Sequence, residues 1–333
     1  MENVLFIGNG INRLQEENSL DWGKLLEKVS SQYHINANLK NPLKPFPLSF
    51  DEMTNLKPGN NNFNSKIKNL KKNISKSFFE LAKKNNDRWH NDYHSKFMDV
   101  DNFNYILTTN YDYAFETSVD ANFFAKKRTY AQDNKEVLHS LRRVYKIKEK
   151  NIYHVHGELE NNRKYDSNNY ESYIEESIMI GFAHYASYHK KIMTNINRKN
   201  IENEIENKKS IEWPFLFFTN NIHIVGFGFD FSESHLWWLL QKRKAYIHDS
   251  IEIKNKIFYY MPKFLVQNRD QLKFKNQDDL NERIKLEINQ KKLEAKTEVL
   301  NSLGVNIIDI ECNTSEKRYF EFYDKVIEKL KRV

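Results

Sequence analysis

Short apolar runs closed by turn residues recur along the chain, at Val4–Gly8, Tyr105–Thr109, Ile152–His156, Ile178–Gly181, Ile222–Gly226, Ile257–Met261 and Val305–Ile310. Most are continuously apolar rather than alternating, which predicts strands covered on both faces, as in a parallel sheet. Between them, apolar positions fall at helical spacing. Trp22, Leu25, Leu26 and Val29 share one face, with Asp21 ahead of them as a candidate N-cap. Phe63, Ile67, Leu70, Ile74, Phe78 and Leu81 form a longer stripe, and Leu236, Trp237, Leu239 and Leu240 follow Ser232, a second candidate cap. From Ser315 onward, Tyr319, Phe322, Tyr323, Val326, Ile327 and Leu330 predict a terminal helix. Strands alternating with helices predict an α/β fold with a doubly wound, mostly parallel sheet. Two stretches interrupt the pattern. Asn36–Gly59, rich in Asn and Pro, reads as loop, and Tyr185–Asn207 reads as polar helix. With Phe63–Asp92 they are candidate insertions over the sheet's carboxyl edge.

A length of 333 residues suits one α/β core with insertions. Mean hydropathy is −0.79, yet aromatic residues make up 14% of the chain, so a polar surface can enclose a substantial interior. No run is long and apolar enough to span a bilayer, and the opening segment reads as a strand, not a signal peptide. Cys312, the single cysteine, permits neither an internal disulfide nor a four-thiolate zinc site. These features point to a cytoplasmic protein without membrane attachment. The net charge of +7 comes from lysines spread among Asn, Glu and Ile; the densest run, Lys66–Lys84, reads as a solvated helix face. Direct nucleic-acid binding stays open as the less favoured reading.

Polar residues and glycines cluster where the apolar runs end, which is where open α/β sheets bind ligands. Gly8-Asn9-Gly10-Ile11-Asn12 follows the first run; such glycines let backbone N–H groups approach a pyrophosphate, or make a tight turn. Thr108-Thr109-Asn110-Tyr111-Asp112 follows the second, and its side chains suit ribose hydroxyls and a carboxamide, or a helix cap. His154 and His156 are expected on one strand face, with His156 at the strand end before Gly157. The alternatives there are a structural histidine or a metal-binding pair; no further ligand is evident at useful spacing, and no metal is expected. Gly226-Phe227-Gly228 and Asp230 repeat the glycine turn after a later run, with Asp230 or Ser232 as a cap in the alternative reading.

In this order the motifs resemble the sirtuin superfamily, in particular its divergent bacterial branch of NAD hydrolases in antiphage defence. Gly8-Asn9-Gly10-Ile11-Asn12 stands where sirtuins carry Gly-Ala-Gly-Ile-Ser, and Thr108-Thr109-Asn110-Tyr111-Asp112 where they carry Thr-Gln-Asn-Ile-Asp. His156-Gly157 matches their catalytic His-Gly, and Gly226-Phe227-Gly228 is similar to the turn under the adenosine ribose. Trp22-Gly23-Lys24-Leu25-Leu26 and Met179-Ile180-Gly181, followed by Tyr185, resemble the defence branch. The likeness covers roughly residues 1–30 and 100–310. Asn12 departs from the serine, the Gly-Ile-Pro-x-Phe-Arg segment is absent, Arg13 is no obvious substitute, and the four zinc cysteines are missing.

The resemblance implies one Rossmann-like NAD-binding domain over residues 1–333 with no zinc module; within it the residue pattern places loop or helical insertions at 36–100 and 185–208 and a helix at 315–333. It implies an NAD+ glycohydrolase (NADase) for which NAD is substrate. Asn110, His156 and Asp112 would be catalytic. Gly8, Asn9, Gly10, Ile11, Asn12, Thr108, Asp112, Gly226, Phe227, Gly228 and Asp230 would bind the dinucleotide. The implied role is abortive-infection defence, controlled by homo-oligomerisation or by a separate partner, a HerA-type ATPase or a short Argonaute. The alternatives are a sirtuin-type deacylase or ADP-ribosyltransferase, and a sensor that binds NAD or ADP-ribose without turnover.

Overall fold

The computed structural model describes residues 1–14, 22–37, 39, 44–57, 59, 62–84, 90–130, 141–159, 178–207, 212–264, 291–313 and 318–333. The candidate cap Asp21, and Ser315 at the start of the terminal segment, lie outside them.

The apolar runs assemble into a 7-stranded sheet in the order β3-β4-β2-β1-β5-β6-β7. The strands are β1 (Asn3–Ile7), β2 (Phe103–Thr108), β3 (Tyr145–Ile147), β4 (Lys150–His154), β5 (Asn221–Val225), β6 (Ile257–Phe264) and β7 (Val305–Cys312). Every pairing is parallel except that of β3 with β4. With β3 set aside, the remaining strands run 3-2-1-4-5-6 in chain order, the order of doubly wound dinucleotide-binding sheets. Continuous apolarity has the expected cause. Leu5 and Ile7 of β1 face one core, and Val4 and Phe6 face another on the opposite side.

The first core is covered by the helix Phe63–Lys84, through Leu70, Ile74 and Phe78, and by Arg318–Leu330, through Phe322, Tyr323, Val326, Ile327 and Leu330. The second is covered by Phe182–Asn195, Arg198–Asn207 and Ser234–His248. The stretch expected as one polar helix is thus two, separated at Ile196 and Asn197. No helix among the described residues is long and apolar enough to cross a membrane.

Four expectations are corrected. Ile178–Gly181 is not a sheet strand; Ile178 makes one isolated antiparallel bridge with Gly157, and Gly181, at φ +88°, turns the chain into the next helix. A short buried apolar run reads the same whether or not it joins a sheet. Asn36–Gly59 is not all loop, because Phe46–Leu56 is a helix with Phe50 and Met53 buried and Pro47 in its first turn. Proline is tolerated there because the first N–H groups of a helix have no intrahelical partner. Ser232 does not cap the helix Ser234–His248; Glu233 occupies the cap position without a side-chain bond, and the Ser232 N–H donates to Oδ1 of Asp230. His154 and His156 do not share a strand face: β4 ends at His154, so period-two geometry does not reach His156. His154 packs against Tyr113 and Tyr145 of the first core, and His156 against Tyr185 of the second.

Candidate functional site

The carboxyl ends of β1, β2, β4 and β5 adjoin one another, because these strands are neighbours in the sheet. The turns after β1 and β5 are locked together: Gly8 N–H donates to the Val225 carbonyl (3.0 Å) and Gly10 N–H to the Gly226 carbonyl (2.9 Å). A Cβ on Gly8 would stand 2.5 Å from Cα of Phe227, and one on Gly10 would stand 2.7 Å from the Gly226 oxygen. These two glycines are therefore required by turn-on-turn packing. Gly226, at φ +62°, also lies under the Tyr323 hydroxyl. Gly228 differs, since a Cβ there would meet nothing within 4 Å. Its carbonyl accepts from Lys296, and that of Phe227 from the Tyr259 hydroxyl.

The first turn and the β2 end meet through Asn12. Its amide donates to Oδ1 of Asn9 (3.0 Å) and to Oδ2 of Asp112 (2.8 Å). Asp112 also accepts the Ala114 N–H on Oδ1 at the start of the helix Ala114–Val119. Burial raises its carboxyl pKa, opposed by the Ala114 N–H and the Asn12 amide. Asp112 lies one residue before the cap position, which Tyr113 occupies without a side-chain bond, and it supports the helix start through the Ala114 N–H. The Ile11 carbonyl accepts from the Asn91 amide. The Thr108 hydroxyl accepts the Asn110 N–H (3.1 Å), which shapes the bend out of β2.

Asn110 stands two residues beyond Thr108, and His156 two beyond His154, its partner across the β2–β4 pairing. The Asn110 side chain is only 2% exposed, and among the described residues neither its Oδ1 nor its Nδ2 has a hydrogen-bond partner. A buried carboxamide left unsatisfied costs roughly 1–3 kcal/mol for each group. Native structures rarely carry such a group without a functional or structural reason.

His154 is the structural histidine. One ring nitrogen meets the Asn110 carbonyl (2.8 Å) and the other Oε1 of Glu116 (2.8 Å). Burial alone would lower its pKa, but the Glu116 carboxylate outweighs that and holds it up at about 9. With both nitrogens committed, His154 cannot join His156 as a ligand pair. Nε2 of His156 instead lies 3.1 Å from Oε2 of Glu233, in an orientation that makes no hydrogen bond. The His235 ring is 5.3 Å away in edge contact. Glu116, Glu233 and His235 were not singled out in the sequence. The signal for the last two was the tetrad Ser232-Glu233-Ser234-His235 just past Asp230, which period-based reading passes over. Asp230 itself accepts the Ser232 N–H on its side chain and the Trp237 indole N–H on its carbonyl.

No family model matches the chain, and no curated protein matches it.

Proposed function

We propose that the chain is an NAD+ glycohydrolase that splits the nicotinamide–ribose bond into nicotinamide and ADP-ribose, and that it depletes NAD in antiphage defence. The observation that carries this reading is the buried, unsatisfied carboxamide of Asn110 at the end of β2. It lies at the carboxyl edge of a sheet with dinucleotide-binding strand order, beside the switch point between β1 and β5. A ribose hydroxyl or a positioned water would satisfy both halves of that amide.

The reaction asks little of acid catalysis. The C1′–N bond breaks with its electron pair going to nicotinamide, which leaves neutral, and the ribose passes through an oxocarbenium-like state. Water adds to C1′ and loses a proton, for which the His156 imidazole is the acceptor in this reading. Asn110 would fix the ribose or the water, and Asp112, through Asn12, would hold the first turn against the β2 end. Control would come from self-assembly or from a partner of the HerA-type ATPase or short Argonaute class.

Incubation of the purified protein with NAD, alone and with the product of the neighbouring gene, followed by chromatography, tests the proposal. Nicotinamide and ADP-ribose should appear in equal amounts. Asn110→Ala should abolish turnover with no loss of thermal stability, because it removes an unsatisfied buried group. His156→Ala should lose about 10²–10⁴ in rate. A folded Asn110→Ala that hydrolyses NAD normally would overturn the reading. Intact NAD bound without product would replace the enzyme with a nucleotide sensor.

A further inference from the structure

We propose that His156, Glu233 and His235 form a binding site for a divalent transition cation, with Zn2+ the ion best suited to its two imidazoles and one carboxylate. The inference goes beyond the proposed NAD chemistry, since it requires neither Asn110 nor a nucleotide.

Three elements build the site. His156 lies in the turn past β4, Glu233 at the cap position of the helix Ser234–His248, and His235 in that helix's first turn. One candidate ligand atom from each residue lies within 4.8 Å of the others. Nε2 of His156 is 3.1 Å from Oε2 of Glu233, and Nδ1 of His235 is 4.0 Å from the same oxygen. Ligands on a tetrahedral zinc with bonds of about 2.0–2.2 Å stand roughly 3.3–3.6 Å apart. The two separations from the Glu233 oxygen, 3.1 and 4.0 Å, bracket that value, and the imidazole nitrogens, within 4.8 Å of each other, would have to draw together to close the shell. Two imidazoles and one carboxylate leave a fourth position for water or a ligand, the pattern of open zinc sites.

Electrostatics single out Glu233 among the three ligands. His156 and His235 are buried and Glu233 is nearly so. Among the described residues, the groups within ion-pair distance of the Glu233 carboxylate are these two imidazoles. A buried carboxylate needs compensation by positive charge. The N–H groups of the helix start contribute a partial positive charge that repels a cation, so Glu233 is the ligand on which binding should depend most. Tyr185 packs against both imidazoles (5.7 Å and 5.8 Å between ring centroids) and Tyr188 against His235, a wall that fixes the rings.

An imidazole nitrogen bound to a cation accepts no proton, so occupancy and the base role given to His156 exclude each other. They are therefore tested by different measurements. The full-length protein, stripped with a chelator, is dialysed against Zn2+ and its metal content measured. One equivalent should be retained, and Glu233→Gln should weaken retention by more than about tenfold, a loss that even outer-shell partners can cause. X-ray absorption at the zinc edge of the unmodified protein should show two imidazoles, with the carboxylate and a water as the remaining oxygen ligands. Absence of a bound equivalent, a folded Glu233→Gln that keeps it, or a spectrum without two imidazoles would each overturn the proposal. Each of these outcomes leaves the Asn110 reading untouched, just as an absence of NAD turnover would leave the cation site standing.

Discussion

Asn110 and Asp112 leave β2 two residues apart, and their side chains meet opposite fates. Each oxygen of the Asp112 carboxylate accepts a hydrogen bond, from Ala114 or Asn12, whereas among the described residues the Asn110 carboxamide has no partner. The sequence presents both as polar residues at a strand end; only the surroundings separate a support of the helix start from a candidate ligand contact. Histidines divide in the same way. Burial lowers the His94 pKa to about 3, with His90 adding to the effect, and lowers that of His223 to about 4. His184 is held at about 4 by burial and by the Lys71 ammonium. In the unfolded chain these imidazoles titrate near 6.5. Between about pH 6.5 and 4 the unfolded state therefore binds more protons than the folded one, and stability falls as the pH falls. Thermal melts at stepped pH should show the unfolding midpoint dropping below about pH 6.5. His94→Gln should flatten that slope, and a slope unchanged by the substitution would contradict the assignment of His94 as a buried neutral group.

The turns are where reading from sequence and observed structure agree in place and differ in reason. The Gly-x-Gly turns after β1 and β5 were legible because a glycine after a continuous apolar run marks a strand end. What the spacing concealed is that Gly8 and Gly10 spend their N–H groups on Val225 and Gly226, so each turn is the other's packing partner. Gly228 is sterically free. The difference predicts two outcomes. Gly8→Ala should cost about 1–3 kcal/mol, as backbone must shift to admit the methyl group. Gly228→Ala should leave denaturant unfolding unchanged, and any loss of NAD binding in it would then report contact with ligand. Equal destabilisation by both would refute the packing account. The central strands β1, β2 and β5 were legible because they are largely buried, whereas the edge strand β7 showed as an apolar run although much of it is exposed or half-buried. The edge strand Tyr145–Ile147 was not legible, because an edge strand of that length carries no periodic signal. The helix Phe46–Leu56 was hidden by Pro45 and Pro47 at its start, and the meeting of His156 with Glu233 and His235 by a separation in sequence that no local pattern spans.

At the scale of the whole molecule, the segment farthest along the chain holds together the end that begins it. The helix Arg318–Leu330 buries Phe322, Tyr323, Val326, Ile327 and Leu330 in the same core as Leu5 and Ile7 of β1. Its Tyr323 hydroxyl would meet a Cβ on either Gly10 or Gly226, so the helix also packs against both glycine turns. Burying a large apolar side chain stabilises by roughly 1.5–3 kcal/mol. Together these side chains contribute an amount of the order of a domain's whole stability, about 5–15 kcal/mol. A chain ended at residue 313 should therefore fail to fold cooperatively, with loss of the thermal transition and rapid proteolysis throughout. A truncated chain that still melts in one sharp transition would show that the sheet and its first turn stand without the helix, and the coupling from the last helix to the turns after β1 and β5 would be lost with it.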